Sequence, residues 1–260
     1  MGLMDFLARK RRRRVIEKTP LNDRQWRDAC DALPFLGGLS AAELARLREL
    51  VVLFLDAKEM AGAGGLTLTN EIRLSIALQA CLPILNLGIE YYDGWVGIIV
   101  YPGEFVAPRE LHDEDGVVHE YDEAVTGEAW SQGPVILSWE DAAQSAARSG
   151  EGYNVVIHEF AHKLDMLNGE PDGMPPLHAE MDRGAWHHAL AAAYRDFCAR
   201  VDGGEDTWID PYAAEAPGEF FAVMSEAFFE IPDVVLDEYP ELYAQFRQFY
   251  RQDPVSRLAP

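Results

Sequence analysis

Between Ala41 and Asp56 the apolar positions Leu44, Leu47, Leu50, Val51 and Phe54 recur every third or fourth residue, which predicts an amphipathic helix. Ser40 precedes the run and Glu43 stands at the third helical position, the pairing of a capping box. Gly62-Ala63-Gly64-Gly65 lacks the Gly-Lys-Ser/Thr ending of a phosphate-binding loop and reads as a turn before Leu66–Thr69. Asn70 can then cap a second helix that stops near Pro83. After it the runs shorten and become rich in β-branched residues. Val96–Tyr101, Val117–Val125 and Pro134–Ser138 are candidate strands, bounded by Pro102 and Gly133. Gly133–Ser138 suits either a sheet edge, where a peptide could pair by strand addition, or the sheet interior. Beyond Ser138 the pattern turns helical, over residues 139–148, 152–167, 182–201, 217–230 and 239–251.

Few strands before many helices imply an α+β class, a small mixed sheet packed by helices. No boundary is evident after residue 20. The expectation is a basic, disordered tail over residues 1–20 and a single domain over 21–260.

Charge sharpens that division. The net charge is −22, yet Arg9–Arg14 are six consecutive cations, and residues 15–260 carry 16 Lys+Arg against 43 Asp+Glu. So acidic a body repels nucleic acid, and no direct nucleic-acid binding is expected of it. The tail is read as a solvated arm in preference to a contact with anionic membrane or nucleic acid. The most apolar stretch, Ile72–Ile89, is broken by Arg73, Gln79, Pro83 and Asn86, so no transmembrane segment is expected. The start has its apolar residues before its basic ones, the reverse of a secretory signal. Cys30, Cys81 and Cys198 are scattered and odd in number, as expected of reduced thiols in the cytoplasm.

The chemistry lies in His158-Glu159-Phe160-Ala161-His162. Two histidines four apart share one face of a helix and suit two ligands of a tetrahedral zinc, one ion per chain. Glu159, one step round, can reach a metal-bound water without ligating the metal. Lys163 is a charge where such helices usually carry an uncharged residue. The third ligand is open on spacing alone. Asp165 suits support of an imidazole rather than ligation, while Glu219 and Glu226, seven apart on one helix face, could serve as ligand and as support in either order. Trp186, Leu190, Tyr194 and Phe197 form a core stripe, His187 and His188 read as surface residues, and His112, His119 and His178 receive no role.

The run His158–Asp165, with Ile209-Asp210-Pro211-Tyr212-Ala213-Ala214, Gly218–Glu226, Cys81–Leu85, Trp130–Trp139 and Phe246–Tyr250, resembles the Mlc titration factor A family of bacterial zinc metallopeptidases. The resemblance covers nearly everything from residue 21 to 257. It implies that His158, His162 and Glu219 ligate zinc, that Glu159 is the catalytic carboxylate, and that Tyr212 stabilises the transition state. It also implies a zincin-like fold of gluzincin type, similar to the catalytic domain of anthrax lethal factor. Aminopeptidase activity on peptide substrates and binding of a Mlc-like repressor protein, a role in regulating sugar uptake, come with it. The basic run and the strong acidity depart from the family's pattern and bear on the partner more than on the chemistry. The competing expectation is a regulatory protein that sequesters a transcription factor, with peptidase activity secondary or conditional.

Overall fold

The computed structural model describes residues 3–19, 21–112, 118–147 and 150–258. Within the stretch expected to be a disordered arm, residues 3–18 are helical. Helix α1 (Leu3–Lys18) packs against α3 (Ala41–Ala57), with α2 (Asp23–Asp31) between them in sequence. Val15 and Ile16 are half-buried, and Arg12 reaches Glu90 at 2.5 Å. Those inward contacts are what a run of six cations hides from a composition-based reading. Helix α3 starts as expected: the Glu43 amide donates to Ser40 Oγ at 3.3 Å, and the Ser40 amide donates to the Glu43 carboxylate at 2.8 Å.

Strand β1 (Glu59–Gly62) follows, then α4 (Asn70–Cys81). Thr69, not Asn70, caps α4, its hydroxyl accepting from the Ile72 amide. Next come β2 (Gly97–Tyr101), β3 (Phe105–His112), β4 (Val118–Val125), β5 (Gly127–Ala129) and β6 (Val135–Ser138). Val117, expected to open the second strand, lies outside the described residues. Among the described residues, strands β3 and β4 pair only with each other, Phe105 opposite Val125 and His112 opposite Val118; His112 and His119 belong to these strands.

The main sheet has the order β1-β2-β6-β5. The first three strands are parallel, and β5 runs antiparallel to β6, with Ala129 opposite Val135 and Gly127 opposite Leu137. The segment left open between edge and interior is therefore interior. The edge on that side of the sheet is β5, a three-residue strand with no β-branched residue.

The rest is helical: α5 (Trp139–Ala147), α6 (Val155–Asp165), α7 (Arg183–Asp202), α8 (Pro217–Glu230), α9 (Pro232–Glu238) and α10 (Pro240–Tyr250). Three of these helices open on proline, whose missing amide costs nothing in the first turn. One aromatic cluster fixes the helix that carries the histidines, and a second fixes its neighbour α8. On one side Phe160 meets Phe54, Tyr92 and Trp95 at centroid distances of 5.0–5.7 Å. On the other, α8 is wedged by Phe221 and Phe228 against Phe246, which stacks on Trp186 at 5.6 Å. Trp186 and Phe197 of the expected stripe are fully buried, and His187 and His188 are exposed.

Candidate metal centre

Helix α6 begins at Asn154, whose Oδ1 accepts from the Ile157 amide at 2.9 Å. Val156, Ile157, Phe160, Ala161 and Leu164 are wholly buried and fix the helix's rotation. His158, Glu159 and His162 are thereby left on the side that faces α8 and β5. The geometry separates the two glutamates of α8. Glu219 Oε2 lies 3.1 Å from His158 Nε2 and 3.2 Å from His162 Nε2, and the two imidazole nitrogens are 3.1 Å apart. The three ligand atoms form a near-equilateral triangle. A tetrahedral zinc bonded at about 2.0–2.1 Å spaces its ligands by roughly 3.3 Å, so the triangle is the size that such an ion requires.

Glu226 stands behind His158. Its Oε1 accepts from His158 Nδ1 at 2.7 Å, and its Oε2 accepts from the Asn154 amide. With its proton held on Nδ1, a neutral His158 turns the Nε2 lone pair towards the triangle's centre. Asn154 Nδ2 in turn donates to Glu230 Oε1 at 2.9 Å, so the cap of α6 and the support of its first histidine are one network with α8. Two imidazoles and a carboxylate aimed at a single point fit a divalent cation.

Electrostatics in the metal-free protein agree with that fit. Burial alone would lower the His158 imidazole, but hydrogen bonds and charge from Glu219 and Glu226 raise it well above its ordinary value. Burial would raise Glu219, and the two histidines instead hold it far below the usual carboxylate range. Glu159 is pushed up to about 7 by burial, against the pull of both histidines. The site concentrates protons where a cation would sit.

Glu159 lies against the β5 backbone. A Cβ on Gly127 would fall 2.3 Å from Glu159 Oε1 and 2.7 Å from its Cγ, so only glycine leaves room for the carboxylate. A cavity of about 360 Å³ opens here, lined by His158, Glu159 and Glu226, by Gly127 and Tyr153, and by Tyr212. Tyr212 is half exposed, on a short 3₁₀ turn (Pro211–Ala214) capped by Asp210, and its ring centre is 6.1 Å from that of His158. His158, Glu159, His162, Glu219 and Tyr212 thus lie around one place.

The model of the family described as Glucose-regulated metallo-peptidase M90 matches residues 7–251. The chain belongs to this family. Mlc titration factor A of Salmonella typhi and that of Salmonella schwarzengrund (strain CVM19633) are each 43% identical to it over 244 residues, which is 93% of this chain and 91% of theirs. Membership in M90 implies a metal, and the donor set described above suits zinc.

Other residues of this M90 chain depart from the expectations. Asp165 does not hydrogen-bond an imidazole; its Oδ2 accepts from the Gly173 amide at 2.7 Å. Its Oδ1 and His162 Nδ1 are both buried without a hydrogen-bond partner among the described residues. Lys163 is buried and useful: Nζ donates to the carbonyls of Trp130 and Gly133 and lies 4.6 Å from the centre of the Trp95 ring. It ties the β5–β6 turn to the metal-site helix. Burial lowers its pKa to about 8. Gly127, Tyr153 and Asn154 were not singled out beforehand, since only the fold brings them to the cavity or the helix start. Among the described residues no helix is long and apolar enough to cross a membrane, and the three cysteines are free thiols.

Proposed function

We propose that this chain is a cytoplasmic zinc peptidase of aminopeptidase type, with a zincin-like, gluzincin-type arrangement. The observation that carries the reading is the convergence of His158 Nε2, His162 Nε2 and Glu219 Oε2, with the Glu159 carboxylate beside them. These three residues would hold one zinc. When bound, zinc lowers the pKa of a ligated water to about 7 and offers positive charge to the scissile carbonyl. Glu159 takes the proton of the attacking water and later passes it to the departing amine; its burial keeps its affinity for a proton near neutrality. The Tyr212 hydroxyl donates to the oxyanion that develops on the carbonyl. Glu226 holds His158 in the ligating tautomer. A substrate backbone lies along β5, the outer strand, rather than along β6.

Glu159→Gln tests this. The variant should retain about one zinc per chain by mass spectrometry and lose roughly 100-fold or more in hydrolysis of a chromogenic aminoacyl anilide. A full rate on the pure variant would sink the mechanism. His158→Ala/His162→Ala should lose the metal.

The name of the relatives supports a second role, the binding of a Mlc-like repressor. That role does not need the proton transfer. Glu159→Gln should still bind a purified repressor, whereas loss of binding together with loss of activity would make the interaction that of an enzyme and its substrate.

A further inference from the structure

Helix α1 carries seven cations and two anions, while residues 19–260 carry 15 Lys+Arg against 42 Asp+Glu. Helix α1 is thus a net-positive element of an otherwise strongly anionic molecule. The helix does not hide it. Arg12, Val15 and Ile16 form the half-buried side, and Arg12 is engaged with Glu90. Arg9, Lys10, Arg11, Arg13, Arg14 and Lys18 are exposed, with Arg13 paired to Glu17 at 2.8 Å. Lys10, Arg11, Arg14 and Lys18, spaced one, three and four apart, border one shallow groove of about 280 Å³ together with Val15, Thr19 and Asp56. Four cations there meet a single carboxylate.

Like charges packed at this density repel one another, and the cost of holding them on a helix face is relieved when an anionic surface faces them. We propose that the outward face of α1 is a docking surface for an anionic lipid bilayer. One observation, of composition, favours a bilayer over a nucleic acid. In sequence the cations are preceded by Leu3, Met4, Phe6 and Leu7, and an apolar segment next to a basic run matches an interface of acyl chains and headgroups, not a phosphodiester backbone. Docking of this kind is peripheral and reversible, and it would hold the molecule at a membrane surface without a spanning segment.

The test is co-sedimentation of the full chain with vesicles. Wild type should pellet with vesicles containing phosphatidylglycerol and not with phosphatidylcholine alone, and raising the salt should release it. Lys10→Glu/Arg11→Glu/Arg14→Glu should weaken partitioning roughly tenfold or more. Arg11→Gln/Arg14→Gln, which leaves Arg12 on Glu90, should give an intermediate loss and guards against misfolding of the first variant. Equal binding to both vesicle types, or wild-type partitioning by both variants, would overturn the proposal. Release of the protein from vesicles by duplex DNA at equal phosphate concentration would overturn it in favour of a nucleic-acid surface.

Discussion

Gly127→Ala is the substitution that moves Glu159 and little else. Gly127 sits on β5 with no left-handed backbone angle to accommodate, so alanine is compatible with its conformation. The new methyl would, however, lie 2.3 Å from Glu159 Oε1, 2.7 Å from Cγ and 2.8 Å from the carboxyl carbon. Ordinary contact between such atoms is about 3.5 Å, so the carboxylate must retreat by roughly 1 Å. Because Cγ also clashes, the retreat takes a turn of the whole Glu159 side chain towards the cavity that it lines. Removing a strand glycine contributes about 0.5–1 kcal/mol in favour of the fold, close to what an off-rotamer Glu159 would cost. Thermal unfolding should therefore shift by no more than a few degrees. Catalysis has no such slack, since a displacement of that size costs on the order of 100-fold when the displaced group transfers the proton. The assay is paired: zinc per chain by mass spectrometry, and kcat/KM on an aminoacyl anilide. Zinc should stay at the wild-type level while kcat/KM falls. Activity within threefold of wild type would refute the claim that Glu159 must stand against β5. Loss of zinc along with activity would show that the methyl disturbs the ligand triangle and not the carboxylate alone.

Three further expectations follow from the same geometry. Glu226→Ala should weaken zinc binding by about 10–100-fold, because His158 loses the acceptor that fixes its tautomer; chelator competition reads this directly, and an unchanged affinity would deny Glu226 that role. Zinc uptake should release about one proton, since the metal-free site holds His158 well above its ordinary pKa and ligation requires the neutral ring; titration calorimetry in buffers of different ionisation enthalpy measures it, and a release near zero would contradict the protonated apo site. Burial lifts Asp165 to about 7, above the roughly 3.9 of an unfolded chain, so the folded state binds the extra proton between those values. That stabilising contribution is complete at low pH and is lost as pH rises through 7. Asp165→Asn should flatten the fall in urea midpoint between pH 5 and 8, an effect on the order of 2 kcal/mol, and an unaltered slope would place the titrating group elsewhere.

What could be read in advance and what could not divide along a physical line. The His158–His162 spacing is meaningful before any fold is known, because helix geometry alone puts residues four apart on one face. The same holds for Ser40 and Glu43, whose capping box closes within one turn, and for the stripe of Trp186, Leu190 and Phe197. In each case the partner is fixed by local sequence distance. Strand β1 (Glu-Met-Ala-Gly) and strand β5 (Gly-Glu-Ala) carry no β-branched residue and are strands because β2 and β6 supply the hydrogen bonds, so nothing local announces them. Gly127 is 32 positions from the carboxylate it makes room for. Lys163 looked out of place on a metal-binding helix because its acceptors, the Trp130 and Gly133 carbonyls, belong to a turn that only sheet pairing brings near. The division between Glu219 and Glu226 is of the same kind. Both lie on one face of α8, and which of them enters the triangle depends on how far α8 is slid along α6, a quantity set by Phe221, Phe228 and the rings of α10. The proposed ligand pair is thus a property of one helix, while the proposed third ligand, the placement of Glu159 and the hydrogen bond behind His158 are properties of packing. On the proposed mechanism, substitutions at those packing positions, rather than within the His158–His162 motif, are therefore where activity would change while the metal is kept.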